Sequence, residues 1–281
     1  MTRQKVMLIV GGTGKTGGRV AKLLAARGVP IRIGSRSGEP RFDWNDQSTW
    51  APVLRHVESA YVTYSPDLAV PGAADIVGAF AELAVKSGVR RLVLLSGRGE
   101  EGALLGENAV RKAGADWTIL RSAWFNQNFS AGAFLDQVRS GEVALPAGEV
   151  REPFIDADDI AEVAVVALTE DGHAGQLYEL SGPRLLTFSE AVEEIARAVG
   201  RQIRYLQLTS EQYGSLLAKH EVPAEFASLL MYLFTEVLDG RNAHLTDGVQ
   251  RALGRAPRDF ADYARTVAAE GVWNPRRDSP A

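Results

Sequence analysis

A Rossmann-like α/β fold, in which helices cover both faces of a doubly wound parallel sheet, is predicted by two features of this 281-residue sequence. Continuous apolar runs of strand length alternate with segments of helical periodicity, as in βαβ units. The first run, VMLIV at residues 6–10, leads into a glycine-rich turn and then into a helical pattern. Strand, glycine turn and helix in this order are typical of a dinucleotide-binding unit.

The glycine turn, in IVGGTGKTGGRV, is similar to two phosphate-binding loops. Its GKT could end an ATPase P-loop, but that motif needs glycine five positions before Gly14, where isoleucine stands. Gly11, Gly14 and Gly17 instead match the dinucleotide spacing. We therefore predict that this turn, including Lys15 and Thr16, binds a pyrophosphate through its backbone N–H groups. A glycine-rich turn without a ligand is the alternative.

The end of the second predicted strand, VPIRIGS at 29–35, indicates which dinucleotide binds. NAD sites usually carry an acidic residue about 20 residues beyond the glycines, which accepts hydrogen bonds from the ribose 2′-hydroxyl. Ser35 and Arg36 stand there instead, and Glu39 lies beyond the expected position. A guanidinium can bind a 2′-phosphate bidentately, and Lys15 adds a second cation. The sequence favours NADP, with Arg36 as a solvated loop charge the alternative.

Later segments continue the alternation. The third to sixth strands are predicted at 40–44 (PRFDW), 60–64 (AYVTY), 91–96 (RLVLLS) and 117–121 (WTILR). Helices are expected to begin with Ser48 as N-cap, to include Ile76 to Ala84, and to include Ala109 to Ala113.

Beyond residue 150 the pattern is less regular and predicts a smaller α-rich lobe. Thr187 and Glu190 form a capping box at the start of a helix that ends at Gly200. Residues 223–240 then carry an apolar helical stripe: Phe226, Leu229, Leu230, Leu233, Phe234 and Val237. Core packing explains most of this stripe, although Met231, Tyr232 and Phe234 could also roof a substrate pocket.

These patterns predict three regions of the chain. Residues 1–150 form an NADP-binding domain whose sheet is completed by 151–185, and 186–273 form the substrate-binding lobe. Residues 274–281 are expected to be a disordered tail. Asp156, Asp158 and Asp159 are expected to stabilise the N-terminus of a helix.

Composition excludes several classes of site. A net charge of −4 gives no electrostatic reason to expect a nucleic-acid or membrane partner. Cysteine is absent and the four histidines have no metal-ligand spacing, so no metal is expected. No window approaches the roughly 20 apolar residues of a membrane span, and the first apolar run is short for a signal peptide. We expect a cytoplasmic monomer or homodimer with a small-molecule substrate.

Four segments resemble the NmrA-like atypical short-chain dehydrogenases. They are GGTGKTG (11–17), SGRGE (96–100), AGADWTILRSAWFNQNF (113–129) and EPFIDADDIAEVAVVAL (152–168), and the similarity extends over about residues 5–205. FDWNDQSTW (42–50) is further similar to the festuclavine-synthase and agroclavine-dehydrogenase branch of ergot-alkaloid biosynthesis. That branch reduces a cyclic iminium with NADPH.

The resemblance implies a role for each matching position. The pyrophosphate end would be held by Gly11, Thr13, Gly14, Lys15 and Gly17, and the 2′-phosphate by Arg36. Asp43 and Trp44 would border the adenine, and Tyr64, Ser65 and Pro66 the ribose. Ser96, Trp124, Phe125 and Asn126 would lie near the nicotinamide.

The chain departs from the family at the proton donor. Short-chain dehydrogenases generally use Tyr-x-x-x-Lys, which occurs nowhere in this sequence; Gly99 and Ala103 stand at the expected positions. A proton donor to a ketone oxygen is worth about 10²–10⁴-fold in rate, whereas an iminium or a quinone accepts hydride without one. The sequence therefore predicts an NADPH-dependent reductase of such activated substrates.

Side-chain roles in that reaction follow from residue type. Trp124, Phe125, Tyr213 and Tyr232 could stack on a flat acceptor. Ser96 is the candidate catalytic residue, because its hydroxyl could bind the substrate or the carboxamide; a buried serine at a strand end is the alternative. Two other interpretations stay open: a non-catalytic NADP(H)-binding redox sensor, and an enzyme that recruits Tyr64 or Tyr213 as its acid.

Overall fold

A computed structural model of the protein describes residues 6–275, which divide into two compact units. The first unit comprises the described residues up to 122, with 157–180 and 246–256. The second comprises 123–156, 181–245 and the described residues from 257. This division differs from the sequence-based boundaries at 150 and 186, because the chain leaves the first unit after Ser122 and returns to it with a helix that begins at Ala157. The function of each unit stays a prediction.

The regular elements are named in chain order. The strands are β1 (Val6–Val10), β2 (Ile31–Gly34), β3 (Val57–Val62), β4 (Arg91–Gly97), β5 (Asp116–Ser122), β6 (Glu142–Leu145), β7 (Arg151–Glu152), β8 (Gln176–Leu180), β9 (Leu186–Thr187) and β10 (Arg204–Gln207). The helices are α1 (Gly17–Ala26), α2 (Trp50–Leu54), α3 (Ala73–Lys86), α4 (Glu101–Lys112), α5 (Leu135–Ser140), α6 (Ala157–Thr169), α7 (Phe188–Val199), α8 (Ser210–Lys219), α9 (Ala224–Tyr232), α10 (Gly248–Leu253) and α11 (Phe260–Ala269).

The first unit is a six-stranded parallel sheet in the order β2-β1-β3-β4-β5-β8. Helices α1 and α6 pack together, as do α3 and α4, and the strands are apolar because both faces of the sheet are covered. The strand order reverses between β1 and β3, and such switch points form the ligand crevice of doubly wound sheets. The predicted fold class is confirmed.

The second unit is α-rich, as predicted. Helices α5, α7, α8, α9 and α11 accompany two small sheets, a parallel β6–β10 pair and an antiparallel β7–β9 pair. Phenylalanine dominates its core, where Phe129, Phe154 and Phe188 are almost fully buried. The capping box of α7 is confirmed: the Glu190 N–H donates to Thr187 Oγ1 at 3.0 Å, and the Thr187 N–H donates to Glu190 Oε2 at 2.8 Å.

The predicted third strand at 40–44 is wrong. Its backbone makes only an isolated bridge between Asp43 and Asp46, while the Phe42 N–H donates to the carbonyl of Ser35. The segment is instead fixed by its side chains, because Phe42 and Trp44 insert into an aromatic cluster. Without a neighbouring strand to pair with, an apolar alternation does not become β structure.

Two helix predictions also need correction. Asp46, rather than Ser48, caps the turn before α2 by accepting the Ser48 N–H at 3.1 Å. The stripe over 223–240 is not one α-helix, because α9 ends at Tyr232 and a π-helical turn spans Leu233–Val237. Phe226 is 37% exposed rather than packed. The predicted disordered tail begins at Asn274, and its residues 276–281 lie outside the described range.

Candidate functional site

The glycine turn after β1 is sterically restricted to glycine at two positions. Gly11 has a φ of 73°, and a Cβ there would overlap Oγ1 of Thr63, which itself donates to the carbonyl of Val10 at 3.1 Å. A Cβ on Gly17 would overlap the Gly11 carbonyl oxygen. The Gly14 N–H closes the turn on that same carbonyl at 2.8 Å. The glycine spacing therefore reflects close backbone approach between the turn, α1 and the end of β3.

The N-terminus of α1 is available to an anion. Within the described residues, no side chain caps this helix, and its first turn contains no acidic residue. Thr13 and Gly14 are exposed, Lys15 is half-buried, and Thr16 is buried at 4% exposure. Desolvation lowers the pKa of the Lys15 ammonium. Backbone N–H groups, a helix dipole and a partly desolvated cation thus converge in one turn.

The loop that follows β2 is partly exposed to solvent. Ser35 is half-buried and accepts the Gly38 N–H through its carbonyl, whereas the Arg36 side chain is exposed. Asp43 pairs with Arg41 at 2.7 Å. The pKa of Asp43 is lowered chiefly by the backbone N–H of Asn45, then by Arg41, with Arg36 contributing electrostatically. The arginine is therefore close enough to Asp43 for its charge to act there.

Trp44 and Tyr64 form the aromatic part of this region. The Trp44 ring lies 5.2 Å from Tyr64 and 5.2 Å from Phe80, and its indole N–H donates to the carbonyl of Thr63 at 3.1 Å. Ser65 and Pro66, next along the chain, are exposed. The structure thus brings the predicted cofactor residues from 11 to 66 to the carboxyl ends of β1, β2 and β3, which neighbour one another in the sheet.

Ser96, the candidate catalytic residue, is held in a buried ionic network. It is 4% exposed, and its hydroxyl donates to Glu107 Oε1 at 2.7 Å. The Arg121 guanidinium donates hydrogen bonds to both carboxylate oxygens of Glu107, at 2.9 and 2.6 Å, and to Glu179 at 2.9 Å. Glu107 raises the pKa of the Arg121 guanidinium. This geometry favours the structural interpretation of Ser96, since the network ties α4 to β4, β5 and β8.

Sequence reasoning missed this network and Thr63. Glu107, Arg121 and Glu179 are spread over 73 positions, and only strand pairing brings them together. A detectable signal existed at Arg121, a charged residue at the end of the apolar strand WTILR. Thr63 carried no signal, because its contact with Gly11 depends on the β1–β3 pairing.

All seven predicted pocket residues lie in the second unit. Two of them, Met231 and Tyr232, line a groove, whereas the other five do not. Tyr213 and Phe234 are core residues at 2% and 4% exposure, and burial raises the pKa of Tyr213 to about 12. Trp124 is half-buried, with its ring 5.0 Å from that of Phe234. Asn126 is fully buried; its N–H donates to the Ile155 carbonyl, and within the described residues its side-chain amide makes no hydrogen bond. Phe125, which bridges to Ile155, is half-buried.

Met231 and Tyr232 line a groove of about 590 Å³ between α8 and α9. Its walls are mostly small side chains, and Glu236 is its acidic residue. The lining residues are Gly214, Leu217, Ala218, Val222, Ala224, Ala227, Ser228, Met231, Tyr232, Thr235 and Glu236. Sequence reasoning missed the small residues, although Ala224, Ala227, Ser228 and Met231 recur at helical spacing.

Residues 6–275 lack two kinds of feature. They contain no group of three or more metal-ligating side chains. They also contain no helix long and apolar enough to cross a membrane.

No family model matches the chain, but curated relatives match along nearly its whole length. Agroclavine dehydrogenase of Claviceps fusiformis is 34% identical over 285 residues, covering 95% of this chain and 98% of that protein. The uncharacterized oxidoreductase YesF of Bacillus subtilis is 32% identical, covering 96% and 97%. An NAD(P)H azoreductase of Xenophilus azovorans is 30% identical, covering 94% and 98%.

Solved structures share the fold at lower identity. Triphenylmethane reductase of Citrobacter sp., complexed with NADP(H), has a TM-score of 0.74 at 19% identity, covering 94% of this chain and 99% of that one. The quinone oxidoreductase QOR2 of Escherichia coli has 0.75 at 20%, covering 93% and 99%. The negative transcriptional regulator NmrA with NADP has 0.72 at 16%, covering 96% and 97%. The chain therefore shares the fold of NmrA. From its relatives, it belongs to the same family as agroclavine dehydrogenase and the NAD(P)H azoreductase and is an oxidoreductase with a nicotinamide cofactor.

Proposed function

We propose that this protein is an NADPH-dependent reductase that transfers a hydride to an activated small organic acceptor, such as an iminium or a quinone. The observation that carries the proposal is the end of β2, where exposed Arg36 stands in place of the acidic residue of NAD sites. Lys15, in the turn after the neighbouring strand β1, adds a second cation. Two cations near the sheet edge suit a 2′-phosphate as well as the pyrophosphate.

The glycine turn fits a dinucleotide on steric grounds. At Gly11 and Gly17 a Cβ would overlap Thr63 and the Gly11 carbonyl, so the backbone itself forms the surface of the turn. Within the described residues no side chain caps α1, so the positive end of its dipole is open to an anion such as a phosphate. An anion beside Lys15 would also offset the desolvation that lowers the pKa of this lysine.

The chain's own residues would bind and orient rather than exchange protons. Bound NADPH supplies the hydride. Gly11 to Gly17 would hold the pyrophosphate, Arg36 the 2′-phosphate, and Trp44 with Tyr64 the adenosine side. In the second unit, Trp124 and the groove containing Met231 and Tyr232 offer apolar and aromatic surface to a flat acceptor. An acceptor that needs no proton at oxygen suits a chain without Tyr-x-x-x-Lys.

The names of the relatives support this reaction class. One relative is a clavine dehydrogenase and another an NAD(P)H azoreductase, and both act on small organic molecules. The proposal therefore includes a small-molecule substrate and NADP as the cofactor.

Calorimetry with NADPH and NADH tests the proposal, together with NADPH consumption on a panel of iminium and quinone acceptors. We expect NADPH to bind at least about 10-fold more tightly than NADH, a difference of about 1.4 kcal/mol. Arg36→Asp should reverse this preference, since a carboxylate repels the 2′-phosphate. Arg27→Asp, at an exposed position beyond the other end of α1, is the matched charge control. Equal binding of both dinucleotides, or of neither, would refute the NADP assignment.

A redox sensor is the second candidate function. It is favoured by the absence of Tyr-x-x-x-Lys from the sequence together with the engagement of the Ser96 hydroxyl by Glu107. A sensor should bind NADPH without turnover on the whole acceptor panel, distinguish NADP⁺ from NADPH, and copurify with a partner. Turnover of any acceptor at a rate typical of reductases would exclude it.

A further inference from the structure

The groove between α8 and α9 combines a carboxylate with mostly small and apolar side chains. Among the described residues that line it, Glu236 is the only charged one. Gly214 leaves the α8 wall open, since an added Cβ there would have the Met231 sulfur as its nearest neighbour outside its own helix, at 4.0 Å. Tyr232 contributes the aromatic ring of the groove. A ligand in this groove therefore meets apolar surface, one ring and one negative charge.

Glu236 would lie to one side of this groove if α9 simply continued as an α-helix. The residues of α9 that line the groove follow α-helical spacing; they are Ala224, Ala227, Ser228, Met231 and Tyr232. An α-helix turns by about 100° per residue, so in a continued α9 Glu236 would stand about 120° around the axis from Ala224. That direction lies outside the middle of the stripe.

A π-helical turn brings Glu236 back to the groove. The turn spans Leu233–Val237, and the Leu238 N–H donates to the Leu233 carbonyl, five positions earlier, at 2.9 Å. A turn closed by such bonds holds more residues than an α-turn, so each residue advances less around the axis. Glu236 is thereby rotated towards the stripe and lines the groove. Because π-turns are rare and occur frequently at functional sites, this placement indicates a function for Glu236.

The Glu236 carboxylate has no protein partner. Glu236 is exposed, and within residues 6–275 its side chain makes no hydrogen bond or ion pair. The next acidic residue along the chain, Asp239, is by contrast paired with Arg241 at 2.8 Å. A cationic ligand would therefore displace no protein group from Glu236.

The other charged side chains of α8, α9 and their connection do not line the groove. Glu211, Lys219 and Glu225 are exposed on the two helices, and His220 and Glu221 are exposed between them. Water and salt screen charges that are exposed and away from the ligand. The charge that a bound molecule meets at close range is therefore negative.

We propose that Glu236 is a specificity-determining residue, through which the groove selects flat acceptors with a delocalised positive charge over neutral acceptors of the same size. The inference rests on the proposed function and separates its two acceptor classes, favouring iminium-type cations over quinones. The carboxylate attracts a cation across a few ångströms, and the ring of Tyr232 offers a cation–π attraction. A neutral quinone gains neither contribution.

Reduction of such a cation requires no proton. The hydride forms a C–H bond at the electrophilic carbon, and the electron pair of the C=N π bond moves to nitrogen, which becomes neutral. The hydride comes from NADPH, which is thereby oxidised to NADP⁺. Glu236 therefore acts on binding and takes no part in proton transfer.

The charge preference is tested first by binding, in the protein without dinucleotide. The probes are N-methylacridinium, a flat monocation, and 9-methylacridine, which has the same ring system and is neutral at pH 8. Calorimetry in about 20 mM salt should show the cation bound about 5-fold more tightly by the wild type. This difference should shrink in about 300 mM salt, because ions screen it. Glu236→Gln should remove the preference.

Three further variants separate the charge in the groove from other effects. Glu225→Gln removes an exposed carboxylate of α9 that does not line the groove, and it should keep the preference. Ser228→Glu, combined with Glu236→Gln, returns a carboxylate from another exposed lining position and should restore the preference. Ala227→Phe fills part of the groove and should weaken the binding of both probes.

Turnover gives a second readout. Steady-state NADPH consumption with N-methylacridinium and with 1,4-naphthoquinone yields the ratio of their two kcat/KM values. Glu236→Gln should lower this ratio by about 5-fold, through a higher KM for the cation. Glu225→Gln should leave the ratio unchanged.

Three outcomes would overturn the inference. They are equal binding of the two acridines by the wild type, binding of neither, and an unchanged preference in Glu236→Gln. Absence of NADPH binding and of turnover with every acceptor would instead refute the proposed function. The acridine data, which need no dinucleotide, would still decide the charge preference of the groove, so the two failures are distinguishable.

Discussion

The two units differ in whether backbone or side chains form their candidate sites. In the first unit the candidate dinucleotide site is mainly backbone: a glycine turn, a helix N-terminus and the ends of parallel strands. In the second, the groove between α8 and α9 is formed by side chains of helices. A backbone site has strict local requirements on sequence, whereas a side-chain groove accepts many residues. This difference explains why the spacing of glycines can predict a turn, whereas no residue spacing predicts the groove.

Gly17→Ala is the strongest test of the backbone character of the first unit. The added Cβ would overlap the Gly11 carbonyl oxygen and force the turn apart. We expect NADPH affinity to fall by about 100-fold or more, or about 2.7 kcal/mol, as measured by calorimetry. Gly18→Ala is the matched control, since its Cβ would lie 3.5 Å from the nearest atom, an ordinary contact. Equal effects of the two substitutions would mean that steric closure of the turn is unimportant.

Ala227→Phe tests the side-chain character of the second unit. The larger residue fills part of the groove, so KM for an accepted substrate should rise by about 10-fold, while the Kd for NADPH stays unchanged. Ser215→Phe adds the same side chain at an exposed position of α8 that does not line the groove. Steady-state kinetics with both variants makes the comparison. An unchanged KM in Ala227→Phe would place substrate binding elsewhere.

Ser96→Ala should have the smallest effect. It tests whether the Ser96 hydroxyl has a structural or a catalytic role. Removing the hydroxyl takes one hydrogen bond from buried Glu107, which keeps its bonds to Arg121. The free energy of unfolding should fall by about 1 kcal/mol, and kcat should change by less than about 3-fold. Urea unfolding and single-turnover rates measure the two quantities. A loss of kcat above about 100-fold with unchanged stability would instead make Ser96 a catalytic residue.

Much of the first unit could be predicted because its signals are local. The VMLIV strand, the glycine turn and α1 follow one another directly. In the second unit the capping box of α7 is equally local, since it lies within four residues. The failed strand at 40–44 shows the limit of this reasoning. Its apolar residues suit a strand, yet Phe42 and Trp44 pack into an aromatic cluster with Phe80, which is distant in sequence.

By itself, the sequence determined the glycine spacing of the turn, the absence of Tyr-x-x-x-Lys and the cation at the end of β2, because each depends on residue identity at fixed spacing. Only the tertiary structure decided that Thr63 requires glycine at position 11 and that Ser96 donates to Glu107. Each of these contacts joins segments on different strands or helices. Their partners are fixed by strand pairing and helix packing, which no local spacing encodes.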